Sequence, residues 1–219
     1  MILLNFEDLG NQRYISQKTF SNSDFEELNK TYPEYDHFGD FNGENRRNNQ
    51  RDHIKKFLSF NSKIKENDFN QLYVSHKWKK FIDYFLSSEY LYFIKDFLEI
   101  DDFEIGFEWS IIDGDNDLCP HIDCCKKLGT HLFYFPHTSW NGNGGDFIFL
   151  SEPTNDKNPE IVDFEEKIVV KYKMNTSILF KNNKDLKNWH SVSKVKSNIP
   201  RRTFQIIFWS KNEINCFQT

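Results

Sequence analysis

Two residues of metal-binding type stand one position apart in Pro120-His121-Ile122-Asp123. On a strand, positions i and i+2 project from the same face. His121 and Asp123 can then reach one ion while Ile122 packs behind them. A third donor must come from far along the chain, and His190, in Asn188-Trp189-His190-Ser191-Val192, is the best candidate. Two imidazoles and one carboxylate form the facial triad that holds Fe(II) in non-haem oxygenases and leaves the opposite face of the ion open to cosubstrate and oxygen. The same donors favour a divalent, hard-to-borderline ion over Cu(I). A His-x-Asp alone is weak, because a surface charge–histidine pair has the same spelling. The elements around it have to decide.

Those elements change character near residue 100. Upstream, residues 1–60 are mostly polar, with a short helix predicted through Asn29 and capped by Ser23 or Asp24. Between residues 70 and 99, Trp78, Phe81, Ile82, Phe85, Leu86 and Tyr90, then Leu91, Phe93, Ile94, Phe97 and Leu98, recur at helical spacing. Their rings are expected in a core, on helices laid against a sheet. Downstream, Phe103, Ile105, Phe107 and Trp109 alternate as on a half-buried strand. Further strands are expected at Leu132–Phe135, Asp146–Leu150, Ile161–Tyr172, Ser177–Phe180 and Thr203–Trp209. Short strands at such spacing point to a sandwich or jelly roll. The expected class is therefore mainly β (α+β), with helices bracing one face of the sheets.

The order of blocks around the triad resembles the prolyl-4-hydroxylase-like branch of the 2-oxoglutarate/Fe(II) dioxygenase superfamily. The blocks are Pro120-His121-Ile122-Asp123, Leu132-Phe133-Tyr134-Phe135-Pro136, Trp140 to Phe147, Asn175 to Phe180, Trp189 to Val195, and Pro200-Arg201-Arg202-Thr203-Phe204. They span about residues 100–210. The resemblance implies a double-stranded β-helix over residues 100–215, with residues 1–99 as a helical or irregular region that supports it and shapes substrate access. It implies His121, Asp123 and His190 as iron ligands and catalytic centre. Fe(II), 2-oxoglutarate and O2 are the implied cofactor and cosubstrates, with ascorbate as an accessory.

The family anchors the far carboxylate of 2-oxoglutarate on a basic residue that opens a late strand. Arg201 and Arg202 compete for this place, and Arg202 is favoured because it directly precedes Thr203-Phe204-Gln205. A planar guanidinium suits the task, since it meets a carboxylate with two parallel hydrogen bonds. Tyr134 is the implied hydroxyl partner of that carboxylate, with Leu132 and Phe147 lining the pocket. His131 has the opposite strand parity to Tyr134, and His137 follows Pro136 in a loop, so neither is expected to ligate. Related halogenases replace the carboxylate ligand by Gly or Ala, so Asp123 favours hydroxylation of a C–H bond in a prolyl, peptidyl or small-molecule substrate. The rival readings are a metal-binding jelly-roll module without turnover, and an oxygenase acting on nucleic acid or nucleotide.

Composition narrows these choices. The formal net charge of -5 argues against a general nucleic-acid binder, although Arg46, Arg47 and Arg51 form one basic, amide-rich cluster. No apolar run approaches a membrane span, and the first residues lack a signal-peptide pattern. Four cysteines without a CxxC pair argue against a disulfide scaffold or a structural zinc site. A reducing, cytoplasmic location is the expectation. The two Asn-x-Ser/Thr sequons, at Asn29 and Asn175, are short enough to arise by chance. The apolar mass lies in 23 Phe, 9 Tyr and 5 Trp, so any core must be built largely from rings.

Overall fold

The computed structural model describes residues 5–40, 55–61, 74–155, 157–182 and 188–211. Its centre is two antiparallel sheets. The strands are β1 (Glu7–Asp8), β2 (Arg13–Ser16), β3 (Gly39–Asp40), β4 (Lys55–Asn61), β5 (Phe103–Ile112), β6 (Leu118–His121), β7 (Lys127–Tyr134), β8 (Phe147–Leu150), β9 (Lys167–Val170), β10 (Ser177–Lys181), β11 (His190–Val192) and β12 (Arg201–Ser210). The large sheet runs β1-β2-β10-β7-β12-β5-β4-β3 and the small one β6-β11-β8-β9.

Alternation along β12 divides the protein into two cores. Phe204, Ile206 and Phe208 face the helices, with Phe107 and Trp109 of β5, Phe133 of β7, and Leu179 of β10. The helices are α1 (Asn22–Lys30), α2 (His76–Phe85) and α3 (Ser88–Leu98). They deliver Phe25, Leu28, Trp78, Phe81, Phe85, Tyr90 and Ile94 to that face. The opposite face of the large sheet meets the small sheet. There Ile112, Leu132, Tyr134, Ile178 and Phe180 pack on Phe147, Phe149, Val170 and Val192. The candidate metal ligands lie at this second core.

Local chemistry sets the helix boundaries. The apolar periodicity over 70–99 resolves, within the described residues, into two helices, because Ser75 and Ser87 each cap a new N-terminus by accepting from the backbone of Trp78 and Tyr90. The cap of α1 is Ser21 rather than Ser23 or Asp24, accepting from the Asp24 N–H at 3.3 Å. Within the strand expected over 161–172 only Lys167–Val170 forms a strand, Phe164 makes an isolated bridge to Pro153, and Ile161–Asp163 forms a single 3-10 turn. The region before residue 100 also adds strands. β2 pairs with β10 and β4 with β5, extending the large sheet at both edges. β2 is four residues long and carries no alternating apolar stripe, so periodicity does not reveal it.

Cys119 and Cys124 form no disulfide, whereas Cys125 is disulfide-bonded. One bridged cysteine is no scaffold, but it removes cysteine usage as an argument for a reducing compartment. Among the described residues no helix is long and apolar enough to cross a membrane. The Arg46–Arg51 cluster lies outside the described residues.

Candidate metal centre and the buried polar group beyond it

His121 is the last residue of β6 and His190 the first of β11, and the two are antiparallel partners across the small sheet. Their rings lie 4.3 Å apart between centroids, inclined at 57°. Asp123 sits just beyond the end of β6, so the turn of the chain, not strand alternation alone, brings its carboxylate to the histidines. One ligand atom from each of His121, Asp123 and His190 lies within 4.8 Å of the others, and Asp123 Oδ2 is 3.9 Å from His190 Nε2.

Both histidines are fixed in one tautomer. His121 Nδ1 is 2.8 Å from the Cys119 carbonyl and His190 Nδ1 is 2.8 Å from the Asn188 carbonyl. A carbonyl only accepts, so each Nδ1 carries the proton and each Nε2 keeps a free lone pair. Such an outer hydrogen bond orients a metal-binding imidazole and raises its basicity toward the ion. Burial, then the neighbouring His190, pushes His121 down to about 3, and burial pushes His190 down as well. Burial opposes ionisation of Asp123, but Lys127, His190 and His121 outweigh it and hold its carboxyl well below the usual carboxylate range. The result is two neutral imidazoles and one carboxylate, the protonation state a divalent ion requires.

The surroundings hold this geometry. Phe147 stacks on His190 at 5.3 Å between centroids and 13°, and Phe180 approaches the same ring at 5.2 Å. Arg13, on β2, donates from Nε to Asn188 Oδ1 at 2.9 Å and from Nη2 to the Leu150 carbonyl at 3.2 Å, with its guanidinium 4.9 Å from the centroid of Phe149. The residue whose carbonyl fixes His190 is thus itself clamped by a buried cation. Nothing in the local sequence around Arg13 signals this, because the contact spans most of the chain.

Beyond the triad, a second group of polar atoms gathers at the inner face of the large sheet. Arg201 is buried and donates from Nε to the Gly145 carbonyl at 2.7 Å. Its guanidinium lies 5.3 Å from the ring of Tyr134 and 5.2 Å from that of Tyr172. Arg201 Nη2, the Tyr134 hydroxyl and Trp140 Nε1 are buried with no hydrogen-bond partner among the described residues. Unpaired buried donors are costly and rare in a native protein, and mark a place where a ligand or water belongs. Burial pushes the Tyr134 hydroxyl up, against the pull of Arg201, so it is a donor at neutral pH. Gly145, at φ +72, leaves room for the arginine stem: a Cβ there would stand 3.1 Å from Arg201 Cδ.

Strand parity sends Arg201 and Arg202 to opposite faces of the large sheet. Arg202 shares the face of Phe204, Ile206 and Phe208, and that face packs on the helices. Its Nε donates to the Phe135 carbonyl at 3.0 Å, its Nη2 donates to Asn29 Oδ1 at 2.6 Å, and it lies 4.7 Å over Tyr32. It borders a separate cavity of about 840 Å3, together with Lys18, Asn29, Lys30, His137 and Asn175, to which no triad residue contributes. His137 is placed there and not at the triad. His131 is buried on the helix side, where Nδ1 is 2.8 Å from the Tyr90 hydroxyl. Leu132, Tyr134 and Phe147 share the second core with Ile178 and Val192. Asn29 and Asn175 are buried, with their side-chain amides donating to the Pro136 and Phe20 carbonyls.

No protein-family model matches the sequence, and no curated protein matches it either. The fold does have solved relatives. A prolyl-4-hydroxylase from Pseudomonas putida superposes with a TM-score of 0.57 at 11% identity, covering 92% of this chain and 94% of that one. HygX from Streptomyces hygroscopicus, solved with nickel, 2-oxoglutarate and hygromycin B, gives 0.58 at 11% identity over 92% of this chain and 84% of its own. EvdO2 from Micromonospora carbonacea var. aurantiaca, complexed with 2-oxoglutarate, gives 0.52 at 10% identity over 99% and 98%. At such identities the likeness is one of fold.

Proposed function

We propose that this chain is a non-haem Fe(II) oxygenase that uses 2-oxoglutarate and O2, releases succinate and CO2, and hydroxylates a C–H bond of a prolyl, peptidyl or small-molecule substrate. The observation that carries the reading is the pairing of two sites in one core. One is a His-Asp-His triad already in the ligand protonation state; the other is a buried arginine and tyrosine with unpaired donors. The strand orders β6-β11-β8-β9 and β10-β7-β12-β5 support reading the two sheets as a double-stranded β-helix. The solved relatives that hold 2-oxoglutarate support the same cosubstrate.

The donor set fits Fe(II), and His121 Nε2, His190 Nε2 and Asp123 Oδ2 would hold it. When bound, iron supplies the oxidative chemistry on O2 and the keto acid. The protein's own part is position and charge. Arg201, in place of Arg202, binds the far carboxylate of 2-oxoglutarate, with the Tyr134 hydroxyl donating a further hydrogen bond. Phe147, Leu132 and Ile178 exclude water along the carbon chain. His121 is only partly buried, which supports substrate access from its side of the centre. Residues 1–99 then shape access to a catalytic core over 100–215. Ascorbate serves as an accessory reductant, and a cytoplasmic location suits all of these ligands.

The test is succinate release from 2-oxoglutarate with Fe(II) and ascorbate across a library of prolyl peptides, free amino acids and small metabolites. Substrate-stimulated turnover that disappears in Asp123→Ala is expected. Metal binding without any turnover of 2-oxoglutarate, coupled or uncoupled, would favour a metal-binding module instead.

A further inference from the structure

Lys127 opens β7, and its ammonium lies 3.0 Å from each oxygen of Asp123. Both side chains are nearly buried, at 13% and 12% exposure, so this is no solvent-screened surface pair. The two contacts differ. The one to Oδ1 has hydrogen-bond geometry, whereas Oδ2 makes no hydrogen bond among the described residues and faces His190 Nε2. The lysine is held from behind as well. Its N–H donates to the Cys124 carbonyl at 2.9 Å, closing the turn that follows Asp123, and its backbone pairs with Trp209 on β12.

We propose that Lys127 is a positioning residue of the metal centre, holding Oδ1 of Asp123 so that the carboxylate ligates through Oδ2 alone. This rests on the reading of the triad as a metal site. A carboxylate that binds through both oxygens occupies two coordination positions; one whose second oxygen is taken by an ammonium occupies one. The position saved is one that a chelating keto acid needs. The cost is repulsion, since an ammonium and a divalent ion share one carboxylate in a poorly screened environment. Lys127 therefore lowers metal affinity and protects cosubstrate affinity, two effects of opposite sign that a merely structural lysine would not produce.

The experiment measures Mn(II) binding to the metal-free full chain by the electron paramagnetic resonance of free Mn(II), then 2-oxoglutarate binding to the Mn(II) form by calorimetry. The wild type is compared with Lys127→Met, Lys127→Gln and Lys127→Arg. Lys127→Met is expected to bind Mn(II) about fivefold tighter and 2-oxoglutarate about tenfold more weakly. Lys127→Gln removes the charge but keeps a donor to Oδ1, so it gains metal affinity and retains cosubstrate affinity. Lys127→Arg stays near the wild type in both. The visible spectrum of the Co(II) form reports the change in coordination independently of turnover. Mn(II) binding that is unchanged or weaker in both Lys127→Met and Lys127→Gln overturns the proposal, as does unchanged 2-oxoglutarate binding in Lys127→Met. A wild type that binds no Mn(II), or binds it equally well as His190→Ala, overturns the metal-site reading itself.

Discussion

Arg201 and Arg202 are adjacent at the start of β12, yet their guanidinium groups lie on opposite faces of the large sheet, one against Tyr134 and Tyr172 and the other over Tyr32. Under the proposed function, the pair should separate cosubstrate binding from stability. Arg201→Met removes a charge-assisted partner for a carboxylate and is expected to raise KM for 2-oxoglutarate roughly 100-fold, with little change in Mn(II) affinity. Arg202→Met removes bonds to Asn29 and the Phe135 carbonyl and should cost about 2 kcal/mol of stability, read by urea unfolding, with KM nearly unchanged. The opposite pattern would return the anchor role to Arg202.

Tyr134→Phe deletes a buried hydroxyl that has no partner among the described residues. Removing an unpaired buried polar group relieves a desolvation penalty. The variant is therefore expected to be as stable as the wild type or slightly more so without ligand, and to bind 2-oxoglutarate roughly tenfold more weakly. Thermal unfolding with and without 2-oxoglutarate reads both effects in one experiment. A loss of stability without ligand would mean that the hydroxyl is serving the fold.

How far the sequence carries the reading can be seen at these residues. His121 and Asp123 stand two positions apart, and the order of blocks along the chain ties His190 to them, so the three can be grouped from the sequence. The helices over 76–98 and the strand at 103 show because each buries one continuous face. Arg201 and Arg202 differ only in parity, and parity becomes readable only when it is known which face of β12 meets the small sheet. Phe204, Ile206 and Phe208 mark a buried face correctly, but both faces of this strand are buried, so apolar character could not select the inner one. Arg13 and Lys127 were illegible for another reason: a lysine or arginine on a strand looks solvated until the fold supplies its partner.

Arg13 offers a test of support at a distance. It bonds Asn188, whose carbonyl accepts from His190 Nδ1. Outer partners of metal ligands are worth roughly 10- to 100-fold in affinity. Arg13 stands one bond further out and its charge opposes the ion, so Arg13→Met should weaken Mn(II) binding by no more than the lower end of that range while leaving the triad residues in place. Arg13→Lys, which keeps one donor and the charge, should recover part of the loss. Equal affinity in the wild type and Arg13→Met would make the clamp a feature of stability alone.

His131 is expected to make the fold less stable in acid. Its ring is buried on the helix side, and burial lowers its pKa from 6.5 to about 3. A histidine kept neutral by folding binds fewer protons in the native state than in the unfolded chain between those two values. Its contribution to stability is therefore fully present above pH 6.5 and declines as the pH falls toward 3, with a limiting slope of about 1.4 kcal/mol per pH unit for one group. His121 in the metal-free protein has the same sign, its pKa also lying at about 3. Urea unfolding of the metal-free protein between pH 6.5 and 5, above the range where carboxylates titrate, should show stability falling with acid. His131→Gln should remove one group's share of that slope, and saturating Mn(II) should raise stability across the window without steepening the slope, because His121 is already neutral there in the folded state. A slope identical in the wild type and His131→Gln would mean that His131 takes up its proton without leaving the folded state.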